Sequence, residues 1–320
     1  MKVLRSLDRL GHDKHSVVTV GMFDGIHRAH REIVREVVHR ARMREGRSVV
    51  VTFDPHPKEV VASARGPVQM LSTLDDRIEM LGDLHVDVVL IIEFTLAFSR
   101  LSAREFYETI VVRGIGVSEV VVGYDHMFGR NREAGIQDLV EMGRTLDFSV
   151  FAVHPLAVDG APISSTRIRK ALAAGDVEKA NAMLGYAYQL GGTIVGGDRR
   201  GRTIGFPTAN IQAQHPRKLL PGRGVYLVEA AVAGTRAYGI MNIGVRPTVT
   251  AGLHQVLEVH LLDFDREIYG ERLEVTFLRR LRDERKFDSL EALTAQLQQD
   301  RDEARRLIAA RAFSSTQSKE

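Results

Sequence analysis

Cysteine is absent from all 320 residues. That absence excludes disulfides, thiolate zinc sites, iron–sulfur clusters and a cysteine nucleophile, so any metal must be held by oxygen or imidazole. Long apolar runs are missing too. No stretch approaches the ~18 apolar residues of a membrane span, and the opening MKVLRSLDRL lacks the apolar core of a signal sequence. These absences predict a cytoplasmic protein without a membrane partner. Net charge is small, +3 over the chain, and the arginines are spread out rather than gathered into a basic tract. Such a surface fits phosphorylated small molecules and offers no nucleic-acid footprint.

What is present is ordinary for a globular protein, 44% apolar and 27% charged residues. The length predicts two domains of about 130 to 190 residues. Apolar runs at 16–23, 47–53, 86–94, 118–125 and 148–153 read as strands. Between them lie helical periods: Ile33, Val34, Val37, Val38 and Ala41 closed by Gly46, then stretches near 74–84, after the capping box Ser102-x-x-Glu105, and near 136–146. This alternation predicts an α/β fold with a doubly wound parallel sheet, whose ligands bind beyond the strand C-termini. Residues 165–185 read as a helical pair split at Gly175. The pattern then changes: glycine becomes frequent, and GVYLVEAAVAG, LEVHLLDF and ERLEVTFLRRL alternate apolar and polar residues, which predicts a small antiparallel β-barrel over about 186–285. A helix announced by Asp288-x-x-Glu291, with Leu290, Leu293, Leu297, Leu307 and Ile308 at helical spacing, closes the chain before a frayed tail. The expected domains are 1–185 and 186–313, with a flexible tail at 314–320.

Two stretches carry chemistry. GMFDGIHRAH, residues 21–30, is a strand end, a tight glycine turn and a helix start, which aims backbone N–H groups at one point suited to an anion. His27 and His30 share a helical face and could donate to phosphate oxygens. No Glu follows His27, so this is not HExxH, and no third or fourth ligand is suitably spaced. Two exposed histidines at a helix start are the plainer reading of the pair alone. ISSTRIR at 163–169 adds hydroxyls and cations, and TFDPHP at 52–57 and GYDHMFGRNREAG at 123–135 follow predicted strands, so four loops converge on one sheet edge.

The second stretch, GGTIVGGDRRGRTIGFPTANI at 191–211, ends in Thr208 and Asn210, neutral oxygen donors suited to magnesium on a nucleotide. LEVHLLDF then puts Leu257, Val259 and Leu261 on one strand face and Glu258 and His260 on the other. Beside a nucleotide site, Glu258 becomes a candidate general base; in isolation it is a solvated surface residue.

GxFDGxHxxH, TFDPHP, GxDxxFG and ISSTxIR, in that order, resemble the adenylyltransferase module of bifunctional prokaryotic riboflavin kinase/FAD synthetases, a nucleotidyltransferase fold with an HxGH motif. GRxxGFPTANI, LLPGRGVYLV, MNIGVRPTV, ExHLLDF and YGxxLxVxFLxxLRxExKF resemble the riboflavin kinase barrel over nearly all of 186–310. The resemblance implies that His27, His30, Ser164 and Arg169 contact ATP phosphates with Asp125 nearby. It counts Gly21, Phe23, Gly25, Ser165 and Gly201 among the ATP-binding positions, and puts Pro55, Pro57 and Arg282 near flavin. It further implies Thr208 and Asn210 at Mg–ATP and Glu258 as base. The sequence departs from the family pattern at Met22 (usually Asn), Ala29 (usually Gly) and His126–Met127 (commonly Phe-Arg).

The chemistry agrees with this division. The FMN phosphate, with a second pKa near 6, is already an anionic nucleophile at neutral pH and needs no base. The riboflavin hydroxyl is un-ionised and does need one. The expected enzyme converts riboflavin and ATP to FMN and ADP, then FMN and ATP to FAD and pyrophosphate, with Mg²⁺ in both steps. The alternatives are a riboflavin kinase whose N-terminal half is impaired through Met22, Ala29 and Met127, and a flavin or nucleotide sensor without turnover. The sequence leaves the oligomeric state open.

Overall fold

The structure, a computed structural model, describes residues 1–61, 67–124, 127–129, 133–196, 205–248 and 252–317, with backbone alone at 246–248, 252–254 and 312–317. The chain forms two compact units, Met1–Ser165 and Thr166–Glu320. Among the described residues no helix is long and apolar enough to cross a membrane.

The first unit is a six-stranded sheet in the order β1-β4-β3-β2-β5-β6. Its strands are β1 (Lys2–Leu4), β2 (Val17–Val20), β3 (Ser48–Asp54), β4 (Val88–Glu93), β5 (Glu119–Gly123) and β6 (Ser149–Val153), and all pairings are parallel. β2 is buried along its whole length, as a central parallel strand covered on both faces must be. α1 (Arg28–Met43) buries Val34, Val37, Val38 and Ala41, the face read from the sequence. α2 (Pro57–Val61), α3 (Leu74–Asp83) and α5 (Ile136–Leu146) follow β3, α2 and β5 in turn. The Ser102/Glu105 capping box opens α4 (Ala103–Phe106), which continues as a π-helix over Tyr107–Ile115. A small hairpin, β7 (Ala157–Val158) with β8 (Ala161–Pro162), precedes the second unit. From β2 the chain moves outward through β3 and β4, then returns to the other side of β2 with β5. That reversal makes a crevice beyond the C-terminal ends of β2 and β5, where ligands of such sheets bind.

The second unit is a closed barrel in the order β10-β13-β12-β11-β14-β9. Its strands are β9 (Gln189–Val195), β10 (Ala209–Ala213), β11 (Gly224–Val232), β12 (Thr235–Thr248), β13 (Gly252–Leu261) and β14 (Arg272–Arg282). The pair α6 (Ser165–Ala173) and α7 (Val177–Leu184) folds with this barrel, so the compact units divide earlier than 185/186. Asn181 supplies one reason: its Nδ2 donates to Phe277 O at 2.9 Å, and its Oδ1 accepts from Tyr188 N at 2.8 Å. The other end of the pair is tied by Gly222 N to Leu172 O at 2.7 Å and Arg280 Nη1 to Ala174 O at 3.1 Å.

α8 (Leu290–Gln317) lays Ala304, Leu307 and Ile308 against Val225, Leu227, Ile240 and Leu278 of the barrel. Two expectations change here. The cap is Ser289, whose hydroxyl accepts from Ala292 N at 3.1 Å, rather than Asp288, because the helix starts one residue later than the spacing suggested. The helix also runs through Ser314–Gln317, four of the seven residues expected to fray, since each added residue extends an existing ladder without a new nucleation cost.

Candidate active sites

In the first unit the β2–α1 loop is wound tightly. Phe23, Gly25 and Ile26 all have positive φ, at 50°, 82° and 34°. Only Gly25 adopts this cheaply; the other two are held by buried side chains, 4% and 0% exposed. His27 is the N-cap of α1, its Nδ1 accepting from His30 N at 3.3 Å, which leaves the proton on Nε2. The two imidazoles stack, centroids 3.5 Å apart, and Phe23 meets His30 edge-on at 5.3 Å. Burial, and then the adjacent His27, holds His30 well below the ordinary histidine value, so it is neutral at neutral pH. His30 Nδ1 is buried with no hydrogen-bond partner, a polar atom that a ligand could satisfy.

Asp24 and Arg77 brace this loop, and the sequence reading missed both roles. The Asp24 carboxylate accepts from Leu71 N at 3.0 Å, Ser72 N at 2.9 Å and Ser72 Oγ at 3.1 Å; Ser72 Oγ in turn accepts from Gly25 N at 2.7 Å. Arg77, 1% exposed, donates from Nη1 to Met22 O at 2.8 Å and Thr52 Oγ1 at 3.0 Å, while its Nε and Nη2 have no hydrogen-bond partner. Burial lowers its pKa against the opposing pull of Asp24, Asp54 and Asp76. Ser165 joins the same loop, its hydroxyl donating to Asp24 O at 3.1 Å. Ser164 is half-buried just before α6; Arg169, half-buried one turn into α6, belongs to the second unit. Pro55 and Pro57 lie where β3 leaves the sheet, Pro57 opening α2. Gly21 donates to Val51 O at 3.0 Å, and Met127 is exposed; Asp125 and His126 lie outside the described residues.

In the second unit Glu258 of β13 pairs with Asn210 of β10 on one side and Asn242 of β12 on the other. Directly paired residues share a face, so a carboxylate stands between two amides in one row across three strands. Thr208 is exposed just before β10 and lines a cleft of about 190 Å³ with Ile194, Pro207, Phe264, Ile268 and Tyr269. The 264–269 loop gave no signal in the sequence, because its side chains meet Thr208 only when the barrel closes. The cleft offers apolar walls for a flat ring beside polar residues for a charged tail. Arg282 turns inward to α8: Nε and Nη2 grip the buried Asp300 carboxylate at 2.8 to 3.0 Å, and Nη1 donates to Asp283 O at 2.9 Å. Gly201 lies outside the described residues. Among those residues no cluster of three or more His, Asp or Glu could hold a metal ion.

Residues 10–167 match the family model described as FAD synthetase, and residues 184–308 the one described as riboflavin kinase. The chain is 38% identical to a bifunctional riboflavin kinase/FMN adenylyltransferase of Listeria monocytogenes, over 93% of this chain and 94% of that one. With the protein of the same name from Escherichia coli K12 it is 37% identical, over 94% and 96%. A solved structure described as a macrolide-efflux protein from Streptococcus pneumoniae superposes with a TM-score of 0.85 at 32% identity, covering 95% of this chain and 98% of that one.

Proposed function

The chain belongs to the bifunctional riboflavin kinase/FMN adenylyltransferase family, and from that premise we propose how its residues divide two ATP-dependent reactions. The protein is an enzyme of flavin-cofactor synthesis. It phosphorylates riboflavin to FMN and transfers an adenylyl group from ATP to FMN, giving FAD and pyrophosphate. A kinase with an idle N-terminal half is not favoured, because identity to the bifunctional relatives runs through both halves. The efflux named for the Streptococcus pneumoniae structure is not carried over, since both family matches are to flavin enzymes.

For the kinase, Glu258 takes the proton of the riboflavin primary hydroxyl as its oxygen attacks the γ-phosphorus of ATP and the bond to the β-phosphate oxygen breaks. Asn210 and Asn242 keep that carboxylate oriented. The oxygens of Thr208 and Asn210 fit magnesium, which holds few protein ligands when phosphates and waters complete its shell. When bound, the ion neutralises charge on the phosphates. The 264–269 loop takes the base of ATP, and Arg282 borders the flavin while holding α8.

For adenylyl transfer, an FMN phosphate oxygen attacks the α-phosphorus and pyrophosphate leaves, with no base. His27 and the neutral His30 donate hydrogen bonds to the phosphates together with Ser164 and the Phe23 amide, while Gly21, Gly25 and Ser165, whose own donors go to Val51 O, Ser72 Oγ and Asp24 O, hold the loop in shape; Arg169 supplies positive charge. Pro55 and Pro57 shape the flavin end. We assign this reaction to motifs within 1–185 and phosphorylation to 186–313, both in the cytoplasm.

The Asn210–Glu258–Asn242 row supports this division best, because a base is built where an alcohol is the nucleophile. Purified protein given FMN, ATP and Mg²⁺ should yield FAD and pyrophosphate in equal amounts by chromatography. Given riboflavin, it should accumulate FMN first. FMN formation without FAD would return the kinase-only reading.

A further inference from the structure

We infer that His260 is a positioning residue of the kinase reaction, its imidazole fixing the Pro207–Thr208 segment at the edge of the nucleotide cleft. The inference rests on the proposed role of Thr208 and Asn210. β10 begins only at Ala209, which pairs with Val259, and Asn210 pairs with Glu258. One step back along this register Thr208 stands opposite His260, but the ladder does not reach it. Pro207, the residue before, has no N–H to contribute. The segment that carries Thr208 therefore leaves the barrel without the backbone ladder that fixes Asn210.

A side chain takes over. His260 Nδ1 lies 2.8 Å from Pro207 O. A carbonyl can only accept, so Nδ1 carries the proton and the bond is a donation from the ring to the backbone. The same imidazole packs against Phe206, centroids 5.3 Å apart in an edge-to-face contact, and Phe206 is itself 5% exposed. Arg301 of α8 covers the Phe206 ring at 5.6 Å. One histidine thus grips two consecutive residues, Phe206 by its ring and Pro207 by its carbonyl, immediately before Thr208. Burial holds His260 below the ordinary histidine range, in keeping with a neutral donor at neutral pH.

His260 is two residues from Glu258, on the same face of β13. One strand therefore carries both the base that meets riboflavin and the clamp that sets the cleft edge. A loosened Pro207–Thr208 segment would weaken the hold of Thr208 on Mg–ATP in the ground state and the transition state alike, which raises KM and leaves kcat little changed.

Asparagine and glutamine separate this role from simple packing. The Nδ2 of asparagine occupies the place of histidine Nδ1 and can donate to the same carbonyl, whereas the amide of glutamine follows the Nε2 side of the ring. The full-length enzyme is assayed for riboflavin phosphorylation as His260→Asn, His260→Gln and Thr208→Ala, with FMN adenylylation followed in parallel. His260→Gln should raise KM for Mg–ATP about tenfold, the scale of one lost hydrogen bond, with kcat and the riboflavin KM within about threefold of wild type. His260→Asn should restore KM to within about threefold. Adenylylation should not change in either. Equal effects of Asn and Gln, or a shift confined to kcat or to the riboflavin KM, would overturn the inference. Thr208→Ala distinguishes the levels: if it leaves the KM for Mg–ATP unmoved, the nucleotide-site reading fails and the inference with it. If it raises KM while His260→Gln does not, the inference alone fails.

Discussion

Ala29 precedes His30 on the first turn of α1 and is half-buried, at one of the positions where the sequence departs from the motif it resembles. Its methyl sits on a helix whose cap and histidine stack are intact, so Ala29→Gly should change FMN adenylylation by less than about tenfold while costing the helix about 1 kcal/mol. A gain of a hundredfold in the same assay would mean that the alanine obstructs the phosphates. Arg77 is a sharper case. Truncation in Arg77→Ala removes the donations to Met22 O of the loop and to Thr52 Oγ1 of β3 and leaves a cavity beneath Met22, so the first unit should lose about 3 kcal/mol in denaturant unfolding. FAD formation should weaken and riboflavin phosphorylation persist. His27 and His30 were legible because they are local and recur in a motif. Asp24 and Arg77 were not, because the partners of these side chains lie 25 to 55 residues away and no short pattern records such a contact.

Elements were legible where a period was long and uninterrupted. The buried face of α1 and the alternation along β13 were read directly, since each repeats the same choice many times. The three-residue β1 and the π-helical run after α4 were not, because one offers too few residues for a period and the other departs from 3.6. The docking of α8 also depends on a long-range pair. Asp300→Ala would leave the Arg282 guanidinium without its carboxylate inside the β14–α8 seam, at a cost of about 3 to 5 kcal/mol. The second unit should then unfold at lower denaturant and bind riboflavin more weakly. At the same end of β11, next to the Val225 that pairs with Arg282, Tyr226 donates its hydroxyl to Gly222 O, and burial pushes its pKa up to about 12, against the pull of Arg280. The unfolded value is about 10, so this contribution to stability is complete below pH 10 and is lost as pH rises toward 12. The denaturation midpoint of the second unit should fall across that interval, and Tyr226→Phe should flatten the fall.

At the scale of the whole molecule, the change from alternating strands and helices to short alternating strands announced two folds, and two compact units are present. Their dividing point was not legible. α6 and α7 continue the helical character of the first half, yet Asn181 and the carbonyls of Leu172 and Ala174 find their partners on the barrel side. The central claim is that two separate sites act in sequence, one needing a base and one not. Glu258→Ala tests it most directly, with each reaction assayed on its own substrate. FMN formation from riboflavin should fall by at least about a hundredfold, the scale of a lost general base, while conversion of supplied FMN to FAD proceeds at the wild-type rate. Equal loss of both activities in a folded variant would contradict it.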